Sequence, residues 1–283
     1  MTGAASPSVT HPPRNLATVS FPLPSTLTPS KLGRFVNCPL AFRYSYIEHL
    51  PEPASIYQLR GTLVHVVLQQ LFAEVTPCER TPERARAILE AAWPAFRSDD
   101  EFLALELDEA ATASFLREIH SLLARYFALE DPTQVRPVGV ELDLHAEVDG
   151  IDLHGIIDRL DHLPDGRFVL VDYKTGRSPR AERSRSRLTG VQFYALLCER
   201  VLGVRPSEVR LMYLGDQVVV VDEPTDQSMR GLRQRATAVW AAIERACATE
   251  DFRPNPSPLC KTCAFRGTCP AVAAESNLVG AAR

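Results

Sequence analysis

Residues 141–176 read ELDLHAEVDGIDLHGIIDRLDHLPDGRFVLVDYKTG, a stretch in which apolar and polar residues alternate through three short runs. Asp149-Gly150 separates the first run from the second, and Pro164-Asp165-Gly166 separates the second from the third. A period of two is typical of strands with one buried face, and both separators are typical of tight turns. The stretch therefore predicts an antiparallel meander of three strands.

The third run ends in a carboxylate and a lysine that share one face. Side chains at i and i+2 of a strand leave the same face, so Asp172 and Lys174 project together, opposite Tyr173. Asp158, on the middle strand, follows an apolar run, and a buried carboxylate is costly unless it is paired or binds a metal. Two carboxylates and a lysine thus indicate a site for Mg²⁺ or Mn²⁺. The alternative is a solvated strand end with a structural ion pair.

The composition is that of an ordinary globular chain. The 283 residues, 45% hydrophobic and 23% charged, suffice for one large domain or two small ones. The net charge is −4 and the pI is about 6.0, so the chain does not have the overall basic excess of many nucleic-acid-binding proteins. A local basic channel does not require such an excess. No apolar stretch reaches the length of a membrane span, and no signal-peptide pattern begins the chain, so we expect a cytoplasmic protein.

Most of the chain outside the meander is predicted to be helical. Residues 1–24 are rich in Pro, Ser, Thr and Ala without periodicity, which indicates a disordered tail. A hairpin around Gly215-Asp216 should add two strands. The first predicted helix begins at Pro29. The other predicted helices span residues 61–72, parts of 78–135, 189–202 and about 225–248. The helix over 189–202 should bury Val201 among other residues, and His65 should lie at the rim of an apolar helix face, either as a satisfied core residue or as a ligand.

The chain contains 7 cysteines, an odd number, and clustered cysteines without secretory features indicate metal binding rather than disulfides. Three of them form a C-x2-C-x5-C pattern, and a fourth near the N-terminus also precedes a proline. Four thiolates suit zinc or an iron-sulfur cluster, although zinc ribbons usually have two paired C-x2-C knuckles. The candidate ligands are Cys38, Cys260, Cys263 and Cys269. The other cysteines are expected to be small buried hydrophobes, namely Cys78, Cys198 and Cys247.

The run from Gly155 to Asp158, followed by VDYKTG at residues 171–176, resembles the core of the PD-(D/E)XK nucleases, specifically their RecB-family exonuclease branch. The resemblance extends over nearly all of the chain after the N-terminal tail. It implies an α/β fold with a central mixed sheet flanked by helices and a helical insertion at about residues 78–135. We therefore expect one nuclease domain over residues 25–275, with tails at 1–24 and 276–283.

The resemblance also implies a set of site residues. His65 lies in the G-x-x-x-H context of a metal-binding helix in that branch, with Gly61 as its glycine. Lys174 would orient the attacking water and stabilise developing negative charge. Gln192 does not match the glutamine of the family, which lies about one turn ahead of the tyrosine, where this chain has Gly190. The implied ligands and catalytic residues are His65, Glu141, Asp158, Asp172, the carbonyl of Tyr173, Lys174 and Tyr194.

Two further groups of residues follow from the resemblance. One N-terminal and three C-terminal cysteines are similar to the ligands of the AddB-type and CRISPR-adaptation nucleases, which implies a 4Fe-4S cluster stapling the chain ends. Basic residues of the first predicted helix, and of the loop that follows the third strand of the meander, are expected to contact DNA phosphates, although a basic loop is often only solvated. These are Lys31, Arg34, Arg177, Arg180 and Arg183.

The implied function is hydrolysis of phosphodiester bonds in DNA with Mg²⁺ or Mn²⁺, in repair or recombination. No G-x-x-x-x-G-K-[ST] motif occurs, so the chain has no ATP motor. We therefore expect single-stranded DNA or frayed ends as substrate, with a helicase partner left open. The alternative is a catalytically inactive nuclease fold that binds DNA or a protein, against which the intact carboxylates and lysine argue.

Overall fold

The computed structural model describes residues 21–179 and 184–272 and shows a five-stranded mixed sheet with helices on both faces. In sheet order, which is also chain order, the strands are β1 (Pro137–Val148), β2 (Ile151–His162), β3 (Phe168–Lys174), β4 (Glu208–Tyr213) and β5 (Val218–Asp222). The pair β3 and β4 is parallel, and the other neighbouring strands are antiparallel. The predicted α/β class is confirmed.

Several helices begin at a capping side chain. Thr28 Oγ1 accepts the Lys31 N–H at 3.1 Å, and Thr81, Asp108 and Thr225 cap later helices in the same manner. The helices are α1 (Pro29–Asn37), α2 (Pro39–Tyr46), α3 (Ile56–Ala73), α4 (Pro82–Arg97), α5 (Asp100–Leu103), α6 (Glu109–Leu129), α7 (Ser184–Leu202) and α8 (Asp226–Thr249). Among the described helices, none has both the length and the apolarity needed to cross a bilayer.

The meander forms as its alternation predicts. Asp149 and Gly150 adopt φ values of 54° and 76°, so a two-residue turn joins β1 to β2 and pairs Val148 with Ile151. This turn sets the register from Val148 opposite Ile151 to Gly139 opposite Leu160, and the register shifts by one residue between Gly139 and Pro137.

The sheet separates two hydrophobic cores. The first core lies against α1, α2, α7 and α8 and includes Leu153, Ile157 and Leu170. The second core lies on the opposite face, against α3, α4 and α6, and includes Val171 and Tyr173. The helices within residues 78–135 thus contribute to the layer that covers this face of the sheet. Burial on both faces explains why β3 reads as a continuous apolar run.

The crossover helix α7 connects the parallel strands β3 and β4. It begins at Ser184, five residues before the predicted start at Thr189. Val201 and Leu202, in its last turn, are both 43% exposed. The prediction that Val201 is buried is therefore wrong, because the helix extends past the core on which it packs.

Candidate active site

Glu141 and Asp158 lie opposite each other in β1 and β2. At this point the regular alternation of side chains between the two sides of the sheet is interrupted. The register of β1 and β2 leaves these two carboxylates opposite one another. Ile157 packs in the first core, whereas the guanidinium of Arg159 lies 4.4 Å from the ring centroid of Phe72, in the second core. Residues at i and i+2 normally share a face, so β2 turns over at Asp158. The φ of 48° at Glu141 marks the same irregularity in β1.

Three of the predicted metal ligands converge at this irregularity. Ligand atoms of His65 on α3, Glu141 and Asp158 all lie within 4.8 Å of one another, and the three side chains are half-buried. His65 Nδ1 is 3.5 Å from Asp158 Oδ1, and His65 Nε2 is 3.1 Å from the carbonyl oxygen of Tyr173. The Tyr173 N–H donates to Asp158 Oδ2 at 2.7 Å. One imidazole, two carboxylates and a carbonyl form a donor set that suits Mg²⁺ or Mn²⁺.

Asp172 and Lys174 form an ion pair beside these ligands, with Lys174 Nζ 2.6 Å from Asp172 Oδ2. Burial raises the pKa of the Asp172 carboxyl; the charge of Lys174 opposes this rise and that of Asp158 adds to it. Burial disfavours the charged form of Lys174, but the neighbouring charges of Asp172 and Asp158 outweigh it and raise the pKa of the lysine. Lys174 is therefore a cation at neutral pH, suited to stabilising negative charge rather than to accepting a proton.

Tyr194 approaches the site from α7, where Gly155 leaves room for its ring. A Cβ on Gly155 would lie only 2.8 Å from Tyr194 Cε1. Burial, reinforced by the charge of Asp172, raises the pKa of Tyr194 to about 12, so its hydroxyl keeps the proton and can donate a hydrogen bond. Gln192 instead donates to Asp222 Oδ2 at 3.1 Å, which ties α7 to β5.

The sequence profile of the PD-(D/E)XK nuclease superfamily matches residues 26–270. The chain belongs to this superfamily. Its fold is similar to that of a candidate exonuclease from Eubacterium rectale, with 13% identity, a TM-score of 0.55, and coverage of 84% of this chain and 87% of that one. It is also similar to the crystal structure of SSO0001, with 16% identity, a TM-score of 0.41, and coverage of 87% and 86%. No curated protein sequence matches the chain.

Nucleases of the PD-(D/E)XK superfamily use divalent metals, and the His65, Glu141 and Asp158 group of this member provides ligands of the required kind. The superfamily assignment supports a nuclease that acts on nucleic acid. The predicted nuclease core is thereby confirmed at the level of the superfamily.

A buried arginine, whose role the sequence patterns do not indicate, supports this PD-(D/E)XK site. The fully buried Arg159 donates from both terminal nitrogens to the carboxylate of Glu130, each at 2.8 Å, and to Asp161 Oδ2 at 2.9 Å. Arg159 Nη1 also donates to the Tyr173 hydroxyl at 2.6 Å. The backbone of Tyr173 contacts two candidate metal ligands, His65 and Asp158. By holding the side chain of Tyr173, the Arg159 cluster therefore helps to position those ligands. An arginine between two aspartates in an apolar strand was the available signal.

The two carboxylates that share Arg159 differ in their acidity. Burial opposes ionisation of Glu130, but the charge and hydrogen bonds of Arg159 outweigh it and lower the pKa of this carboxyl. The Tyr126 hydroxyl donates to the same carboxylate at 2.8 Å. At Asp161 burial prevails over Arg159 and raises the pKa. Glu130 is thus the principal counter-ion of the buried arginine.

The predicted DNA-contacting residues lie in separate places. Lys31 Nζ donates to a backbone carbonyl at 2.8 Å, and burial lowers its pKa. Arg34 Nη2 pairs with Glu52 Oε2 at 2.8 Å. Arg177 is exposed, shortly after the end of β3. Two further predicted contacts, Arg180 and Arg183, lie outside the described residues.

Four cysteines line one cavity of about 430 Å³ between the first two helices and the C-terminal segment. The backbone N–H of Asn255 donates to Cys38 Sγ at 3.5 Å, and that of Ser257 donates to Cys260 Sγ at 3.3 Å. The lining cysteines are the four predicted together: Cys38, Cys260, Cys263 and Cys269. The fold therefore brings the two distant halves of the cysteine pattern to one place.

The three isolated cysteines do not share one environment. Cys198 and Cys247 are buried, as predicted. Cys78 is exposed, and the prediction that it is buried is wrong. It lies in the short 3₁₀ turn Pro77–Glu79, where the chain passes over the surface between α3 and α4.

Proposed function

We propose that this protein is a deoxyribonuclease that hydrolyses phosphodiester bonds with Mg²⁺ or Mn²⁺ held by His65, Glu141, Asp158 and the Tyr173 carbonyl. The observation that carries the proposal is the convergence of the three side-chain ligand atoms within 4.8 Å of one another. Oxygen-rich donor sets with one imidazole favour these hard cations. Asp172, which is buried beside them, is the proposed additional ligand.

The side chains around the metal ligands have distinct proposed roles. A bound divalent ion would lower the pKa of a water molecule and neutralise charge on the scissile phosphate. Lys174, kept cationic by Asp172, stabilises the negative charge that develops on the phosphate and orients the attacking water. The neutral Tyr194 hydroxyl donates a hydrogen bond into the same site.

Single-stranded DNA or frayed ends are the proposed substrate, and repair or recombination is the proposed setting. Arg177 supports contact with the phosphates because it is exposed close to the end of the strand that carries Lys174. Without a nucleotide-binding motor motif in the sequence, strand separation would depend on a helicase partner or on ends that open spontaneously.

A 4Fe-4S cluster is the second proposed cofactor, held by Cys38, Cys260, Cys263 and Cys269. Four thiolates line a cavity of about 430 Å³, and two of the sulfurs accept backbone N–H groups, as cluster-bound thiolates do. Zinc ribbons usually have two paired C-x2-C knuckles, and here one half of the pattern is the single Cys38, which favours the cluster.

The test compares cleavage of end-labelled single-stranded DNA with Mn²⁺ by wild type, Asp158→Asn and Lys174→Ala. Each variant should lose activity by about 100-fold or more, because each removes a metal ligand or a charge that stabilises the transition state. The matched control is Asp152→Asn, an exposed aspartate on the same strand as Asp158, which should cleave like wild type.

Binding of the same DNA, measured in Ca²⁺ or without metal, separates catalysis from recognition. Asp158→Asn should bind the strand about as well as wild type while failing to cut it. If the wild type binds DNA without cutting it, the catalytically inactive alternative replaces this proposal. If Asp158→Asn cuts at the wild-type rate, the assigned metal site is wrong.

A further inference from the structure

A second group of metal-ligating side chains lies on the outer face of the β1–β2 hairpin. His145 and His154 are directly opposite in the strand register, and their rings stack with centroids 4.0 Å apart and an interplanar angle of 7°. Asp143 Oδ1 lies 3.2 Å from His145 Nε2 and 2.8 Å from His154 Nε2. One ligand atom from each of the three residues is thus within 4.8 Å of the others.

The hairpin holds these three side chains on a supported backbone. Leu144 and Leu153, their neighbours in the chain, point inward and are buried in the first core. The His154 N–H donates to the carbonyl oxygen of Leu27 at 3.0 Å. The two imidazoles therefore project together from paired positions, and little conformational freedom of the backbone remains to be lost when a ligand binds.

The group is also open to solvent and lies in a negative environment. The side chains of Asp143 and His145 are 58% and 59% exposed, and that of His154 is 27% exposed. Glu147 and Asp152 pair with each other on the same face, one step closer to the turn. Their carboxylates add a local potential that attracts a cation.

We propose that Asp143, His145 and His154 form a Zn²⁺ site, separate from the active site, with a coordination position left for water or another ligand. Two imidazole nitrogens and one carboxylate oxygen are a zinc donor set, whereas Mg²⁺ prefers oxygen donors. Ligand atoms around tetrahedral zinc are roughly 3.4 Å apart. The contacts of 2.8 and 3.2 Å would lengthen by a few tenths of an ångström, and the two stacked rings would rotate about their side-chain bonds so that both nitrogens point at one ion.

Zinc bound here would link the first two strands near the positions that carry two proposed active-site ligands. Asp143 is two residues from Glu141 along β1, a Cα separation of about 7 Å in an extended strand. The site requires no feature of the nuclease proposal, so the two proposals can fail independently.

The test is calorimetric titration of ZnCl₂ into the full-length protein, in which any zinc taken up at the active site is common to all of the proteins compared. The His145→Asn/His154→Asn variant should bind one Zn²⁺ fewer than wild type. The matched control is His162→Asn, which changes an exposed histidine on the same strand as His154 and should bind zinc like wild type. Zinc bound by the cysteines contributes equally to all three proteins and cancels in the comparison.

A second variant guards against a folding defect in the first. Asp143→Asn keeps both histidines and should weaken this zinc site by roughly tenfold or more. Zn²⁺ should also raise the melting temperature of wild type more than that of either variant, while the melting temperatures without zinc agree. Equal zinc stoichiometry and equal zinc-induced shifts in wild type and the double variant would overturn the proposal.

Discussion

At the scale of single residues, the site depends on local departures from regular strand geometry. Glu141 adopts a left-handed backbone conformation, and Asp158 lies where the middle strand exchanges its buried face. A regular strand would direct neighbouring carboxylates alternately to opposite sides of the sheet. The irregularity instead allows both carboxylates to lie beside His65. The alternation of apolar and polar residues predicts the strands. It cannot predict the residue at which a strand becomes irregular, because the pattern assumes a regular strand.

Gly155→Ala tests the close approach between the middle strand and Tyr194. The new Cβ would lie 2.8 Å from Tyr194 Cε1 and 3.0 Å from Leu197 Cδ1, so the ring or the strand must shift. We expect the free energy of unfolding in urea to fall by about 1–3 kcal/mol. Gly190→Ala is the matched control, because its Cβ would meet no atom of the described residues within 4 Å, and it should be neutral or stabilising. Equal stability of Gly155→Ala and wild type would refute this contact.

At the scale of secondary-structure elements, Arg159 joins α6 to the two central strands. Glu130 follows the last residue of α6, Arg159 and Asp161 belong to β2, and Tyr173 belongs to β3. A buried charge cluster of this kind is stable only when all of its members are paired. The cluster therefore connects the helical layer of the second core to the backbone that contacts His65 and Asp158.

Glu130→Gln should destabilise the protein in a pH-dependent manner. The lowered pKa of Glu130 means that its ionised form stabilises the folded state above the unfolded-state pKa, near 4.5, and that this stability is lost as the pH falls through the folded-state value. Urea unfolding at neutral pH should show a loss of roughly 3 kcal/mol. The difference from wild type should shrink in acid.

The control for the buried carboxylate is a surface one. Glu52→Gln removes the partner of Arg34 from a pair in which both side chains are about one-third exposed, and it should change stability little at either pH. A Glu130→Gln variant whose loss of stability is the same at neutral and acidic pH would contradict the assignment of Glu130 as the ionised partner of Arg159.

At the scale of the whole molecule, the described N-terminal and C-terminal segments meet at the cysteine cavity. Asn255 Nδ2 donates to the carbonyl oxygen of Asn37 at 3.0 Å, and the ring of Tyr44 packs edge-on against Phe265 with centroids 5.2 Å apart. A cluster at this position would close a loop that contains the whole sheet. Its loss should therefore act on stability before chemistry.

Cys38→Ser tests this closure after anaerobic purification. We expect the wild type to be brown and to contain iron, and the variant to lose visible absorption and melt at a lower temperature, because one of four thiolate ligands is missing. Cys78→Ser, at an exposed cysteine outside the cavity, should retain both colour and melting temperature. A colourless, iron-free wild type would exclude the cluster.

Much of the candidate site was accessible from local sequence. The pairing of Asp172 with Lys174 follows from strand alternation, and the Asp149-Gly150 turn implies the register that places His145 opposite His154. That register was present in the sequence, although the paired histidines were not predicted as a ligand group. The four cysteines were grouped by their C-x2-C-x5-C spacing and the proline that follows Cys38, whereas the choice of His65 as a ligand and of a 4Fe-4S cluster came from the resemblance to a family.

Whereas the mixed α/β class came from the resemblance to a family, the sequence by itself determined the three-strand meander, its two turns and the helical character of most of the remaining chain. These features depend on backbone preferences and side-chain period within a few residues, which a linear pattern records directly. Only the tertiary structure decided that Glu141 meets His65 and Asp158, that Arg159 is buried against Glu130, and that α7 extends beyond its core. Those outcomes depend on how distant elements pack, because burial and electrostatic partners are properties of the assembled layers and not of any single segment.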